Sequence, residues 1–105
     1  RRAAEARLAT QQQEARADRL GAEATLMASN TRTRAADSGV QSAEEAYRLA
    51  RLGFDAGRIS QLELRSTRAA LVAARNAAVD ARIARVLAEI ALAGLEGRAP
   101  FGETR

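Results

Sequence analysis

Residues 52–64, "LGFDAGRISQLEL", stand between two long alanine-rich runs and contain the one place in mid-chain where a helical pattern stops and restarts. Gly57 is the natural terminator, because a left-handed residue after the last helical turn is cheap only for glycine. Ser60 then offers a side-chain oxygen to the unpaired amides of a following helix. Glu63, three residues on, completes a Ser-x-x-Glu capping box. The chain is therefore expected to reverse here in about three residues, with the turn specified chemically on both sides.

The periodicity on each side of the turn predicts two helices: residues 1–56, a tip turn over 57–60, a second helix over 61–96 stopped by Gly97 and Pro100, and a tail over 97–105. In the first, Val40, Ala43, Tyr47, Ala50 and Phe54 recur at alternating steps of three and four. The series runs back more weakly through Ala36, Thr33, Ser29, Leu26 and Ala22. A second set, Leu49, Leu52 and Ala56, falls about 140 to 200° around the helix from Tyr47 and belongs to another face. The second helix carries Ala69, Val72, Val79, Ile83, Val86, Ile90 and Ala93 at heptad spacing, with Asn76 as a polar member. Beside that runs Leu71, Ala74, Ala78, Ala81, Ala88, Leu92 and Leu95. A lone hairpin needs one seam per helix, whereas a wall or bundle of helices needs two. At about 1.5 Å per residue the arms are roughly 80 and 55 Å long, so reflection about the turn sets residue 96 near Gly21 and leaves the first twenty residues overhanging. Gly21 and Gly39 are candidate bends or close approaches, Ser38-Gly39 above all.

Composition narrows the class. In 105 residues there are one tyrosine, two phenylalanines and one methionine, which cannot fill the centre of a compact domain. Alanine, leucine, arginine, glutamate and glutamine dominate instead, the bias of long helices. The net charge is +4 and all basic residues are arginine, but they are scattered among thirteen acids without aromatic stacking partners, so nucleic-acid binding is not expected. Cysteine and histidine are absent, and with no phosphate loop or pocket-forming core neither an enzyme, a cofactor nor a metal site is expected. No apolar run reaches the roughly 18 to 20 residues of a membrane helix, and the chain begins inside a helical pattern, as an excised segment would.

The stretch from Ala46 to Arg98 resembles the carboxy-terminal helical hairpin of TolC-like outer-membrane efflux proteins, most closely their cobalt-zinc-cadmium efflux branch. Tyr47, Phe54, Gly57, Ser60, Leu62-Glu63-Leu64, Leu71, Leu95 and Gly97 occupy the family's places: an aromatic before a turn glycine, a small polar step, an apolar-acid-apolar triplet and a long Ala/Leu helix ending in Leu-x-Gly. The resemblance implies an all-α fold, a long antiparallel coiled-coil hairpin forming part of a periplasmic α-barrel in an outer-membrane protein. It implies a homotrimer that docks a periplasmic adaptor and, through it, an inner-membrane pump, exporting small solutes or metal ions.

By the same resemblance Ala56, Gly57, Arg58, Ile59 and Ser60 would form the adaptor-docking tip, with Arg58 and Ile59 expected to project from it. Glu63 holds the first of the family's acidic pore-mouth positions, but Ser66 replaces the second and Thr67-Arg68 the usual small-Gln pair, so a mixed mouth of Glu63, Arg65 and Arg68 is expected. Two other readings stand beside this one. The α-hairpin of the adaptor itself is similar to "RISQLELRSTRAALVAARNA", but its Arg-x3-Leu-x6-Ser tip pattern meets Leu49 and Gly53 when counted back from Ser60. A generic coiled-coil oligomerisation module is the other.

Overall fold

The computed structural model describes residues 2–96, so the expected tail, with Gly97 and Pro100, lies outside the described residues. Helix α1 runs Arg2–Asp55 and helix α2 Gln61–Leu95, joined as an antiparallel hairpin with no strand among the described residues. The chain divides into two compact units, Thr31–Ile83, which contains the turn, and Arg1–Asn30 with Ala84–Arg105.

In the turn unit, α1 buries or half-buries Thr33, Ala36, Val40, Ala43, Tyr47 and Ala50, the alternation of three and four expected from the sequence. From α2 come Leu64, Thr67, Leu71, Ala74, Ala78 and Ala81. Of the two apolar series on α2, then, the one rich in alanine meets α1. The series with the larger side chains, Val72, Val79 and Ile83, stays about half exposed. Size decides this: alanine lets two helix axes approach toward the short end of the ~8 to 10 Å range, where β-branched side chains would hold them apart. Ala81 is fully buried, and the hydroxyl of Thr33, 4% exposed, donates to its carbonyl oxygen at 3.4 Å.

Two ion pairs join the helices along one flank of this unit, Arg82 to Asp37 at 2.9 Å and Arg75 to Glu44 at 3.4 Å. Seven residues forward on α1 is seven back on α2, so the pairs record the antiparallel register. They are solvent-exposed and contribute at most about 1 kcal/mol each.

Phe54 departs from expectation. It is 37% exposed, and Gly53 is the half-buried residue of the last turn. The seam ends there because α2 has yet to begin, and the turn covers Gly53 instead, placing the Ile59 side chain 3.5 Å from where a Cβ on Gly53 would stand. Gly39 marks no close approach within the hairpin: a Cβ there would meet nothing within 4 Å, and α1 is continuous through it.

In the other unit, Ala22, Leu26 and Ser29 of α1 continue the same spacing, with Ala84, Arg85, Ala88, Leu92 and Ala93 half-buried or buried on α2. Leu95, expected in this seam, is exposed at the end of its helix. Residues 2–21 are exposed without exception, as the reflection about the turn anticipates. Gly21, too, has open space around its missing Cβ. Arg85 takes a seam position, and its Nε is buried without a hydrogen-bond partner. That arrangement costs stability, since a desolvated donor loses its water and gains nothing in return.

Candidate docking tip

The turn is closed almost entirely by backbone and capping bonds. The amide of Arg58 donates to the carbonyl of Gly53 at 2.7 Å and that of Gly57 to the carbonyl of Phe54 at 2.9 Å, which together form a Schellman ending. Gly57 sits at φ +74°, the only positive φ among the described residues, where a side chain would be strained. On the α2 side the Ser60 hydroxyl accepts from the Glu63 amide at 3.1 Å, and the Glu63 carboxylate accepts from the Ser60 amide at 3.0 Å. This reciprocal box satisfies two donors that the helix start leaves unpaired.

These bonds assign different work to the expected site residues. Ala56, Gly57, Arg58 and Ser60 are exposed at the turn. Ile59 does not project as expected; it is half-buried and folded onto Gly53. Ile59 precedes the cap residue and Leu64 lies at the fourth helical position, the two places of a hydrophobic staple, and both are half-buried. That pattern was readable in the sequence. Glu63 is exposed, but its carboxylate is engaged with its own helix start. Arg65 and Arg68 stand exposed on the first turns of α2.

The charges near the tip separate into held and unheld groups. Arg48 and Glu45 pair at 2.7 Å, and the hydrogen bond from the guanidinium holds the Glu45 carboxyl below its ordinary range. The neighbouring Tyr47 oxygen, with Asp55 adding attraction, raises the affinity of Arg51 for its proton. Arg58, Arg65 and Arg68 make no side-chain hydrogen bond or ion pair among the described residues. Leu62, which the sequence placed only in the apolar-acid-apolar triplet, is 74% exposed, more than any other large apolar side chain described.

The sequence of this capped hairpin matches, over residues 1–98, the family model described as outer membrane efflux protein. The chain belongs to the outer membrane efflux protein family. No curated protein and no solved structure gave a significant match. Outer membrane efflux proteins are a channel and transport family whose members trimerise and work with adaptor proteins. The matching family is that of the channel and not of the adaptor. No helix among the described residues is long and apolar enough to cross a membrane, and no group of three or more acidic, histidine or cysteine side chains stands together as a metal site there. The grooves beside the seam, one of them lined by Tyr47, Leu52, Leu71 and Arg75, are open to solvent.

Proposed function

We propose that this hairpin is a segment of the periplasmic tunnel of a trimeric outer-membrane efflux channel, of the cobalt-zinc-cadmium branch, exporting small solutes or metal ions. The observation that carries the reading, beside the family match, is the pair of faces on α2. One is buried against α1 and built of alanine and leucine; the other, with Val72, Val79 and Ile83, is exposed and larger. At about 100° per residue the two stripes are centred about 150° apart, so a helix using both would have a neighbour on each flank, as in a wall of helices side by side. The segment performs no chemistry; it lines a passage.

In this reading Ala56, Gly57, Arg58, Ile59 and Ser60 form the end that meets a periplasmic adaptor, which connects to an inner-membrane pump. Arg58 is the exposed charged group there, and Ile59 keeps the turn in shape. Glu63, Arg65 and Arg68 stand at a mixed-charge pore mouth. The reading is tested in the intact channel by Arg58→Glu, scored for metal resistance and for trimer in the outer membrane. Loss of resistance with the trimer retained supports docking through the tip. Full resistance, or resistance lost only together with the trimer, contradicts it.

A further inference from the structure

We propose that the outer face of α2 in one copy of this chain packs against the outer face of α1 in a second copy laid alongside with its tip level, and that Asn76 sets the register by hydrogen bonding to the second copy's Ser42. This rests on the wall reading above and names the two surfaces that meet.

Both surfaces lie within the unit Thr31–Ile83. On α2, Ala69, Val72, Asn76, Val79 and Ile83 are exposed along one stripe. On α1, Thr31, Ser38, Ser42 and Leu49 lie about 160 to 200° around the helix from Val40 of the seam, at ~100° per residue, and they are exposed with Ala35 beside them. The ion pairs Asp37–Arg82 and Glu44–Arg75 fix the levels of the two helices. By that register Ile83 stands at the level of Ala35 and Ala36, Asn76 at that of Ser42 and Ala43, and Ala69 at that of Leu49 and Ala50. The faces are therefore complementary in size. Where α2 is large, at Ile83, α1 is small, at Ala35; where α2 is small, at Ala69, α1 carries Leu49. They are complementary in polarity as well, because Asn76 falls at the level of Ser42, and neither makes a side-chain hydrogen bond among the described residues. An asparagine in an apolar stripe weakens association but fixes register, since only the matched alignment satisfies its amide. A contact of α2 with α2 would leave Leu49 and Leu52, 54% and 55% exposed, uncovered on α1. Contact of α2 with α1 covers both faces, and being head-to-tail it repeats from copy to copy and can close a ring, consistent with the trimers that family members form.

The test uses the 105-residue chain, which has no cysteine. Ala35→Cys and Ile83→Cys chains are mixed under mild oxidation at a concentration where sedimentation shows association. Disulfide-linked dimers joining the two variants are expected to outnumber those of either variant alone by at least about tenfold, because a disulfide forms only between closely facing positions. Ser38→Leu combined with Ser42→Leu is expected to weaken association at least about tenfold by filling the small surface of α1, with helix content unchanged. Asn76→Val is expected to keep association and to cut the excess of mixed dimers to about threefold or less. Ile83→Cys chains that link to one another as readily as to Ala35→Cys overturn the pairing of α2 with α1, and a chain still monomeric at about 1 mM overturns the second copy as the occupant. An Asn76→Val chain with the excess intact overturns the register role. Labelling of Ile83→Cys in the intact channel separates the two levels. If the thiol is shielded there while the pairing fails, the wall stands and only the surface named on α1 is wrong; if it labels freely, the wall reading fails as well.

Discussion

The two faces of α2 look alike in sequence and unlike in space. Both repeat every seven residues and both are apolar, yet the face with the smaller side chains is buried against α1, while Val72, Val79, Ile83, Val86 and Ile90 stay about half exposed. In a globular core the larger side chains would be inside. Their placement outside fits contact with α1 being governed by how closely two helices can approach, and it leaves the larger apolar area on α2 uncovered in the hairpin. No large side chain among the described residues is fully buried, so the seam contributes limited hydrophobic stabilisation. Helix propensity and the closed turn must supply much of what keeps each arm regular.

The largest expected effect comes from emptying the inner face. Leu71, 6% exposed, is its one large buried member in the turn unit, and Leu71→Ala should lower the unfolding free energy of the 105-residue chain by about 2–3 kcal/mol in urea titrations. Overfilling the same face comes next: Ala81→Leu should cost about 1–3 kcal/mol, because Ala81 has no exposed surface and a larger side chain must push the helices apart. A neutral Ala81→Leu would mean that close approach is not what selects this face.

Register is tested at the turn, which fixes the face that α2 presents. Ser60→Ala removes one half of the capping box and should cost about 1 kcal/mol in thermal or urea unfolding. A smaller gain is expected from Gly39→Ala, about 0.5–1 kcal/mol, since α1 is continuous there and nothing stands within 4 Å of the added methyl. If that variant is more stable as a chain yet fails to assemble in the channel, a neighbour lies against Gly39 that the hairpin does not supply. The smallest effect belongs to the outer face: Ile83→Ala should change the stability of the chain by no more than about 0.5 kcal/mol.

The α1 seam from Ala22 to Ala50 was legible in the sequence, because a single series of threes and fours runs along it and no competing series covers the same span. The turn chemistry was equally legible, since glycine, serine and glutamate at those spacings have few other uses. The choice between the two faces of α2 was not, because periodicity reports that a face is apolar and not which neighbour it meets. Hydrophobicity alone favours the valine and isoleucine stripe, and helix spacing reverses that preference. At the tip, an exposed position for Ile59 followed from reading the turn as closed by caps alone. The isoleucine-leucine staple around Ser60 draws it inward and leaves Leu62, named in the sequence only as part of the apolar-acid-apolar triplet, as the exposed apolar group.

That the outer face of α2 meets a neighbouring helix can be measured with one thiol. The chain has no cysteine, so Ile83→Cys introduces a single reactive site at a position 54% exposed in the hairpin. Maleimide labelling should be rapid in the 105-residue chain at a concentration where it is monomeric, and slowed at least roughly tenfold in the assembled outer-membrane channel, where a packed helix would cover the stripe. Equal labelling rates in the two states would contradict the account, because the larger apolar face would then have no partner in the one assembly that its position on α2 is supposed to serve.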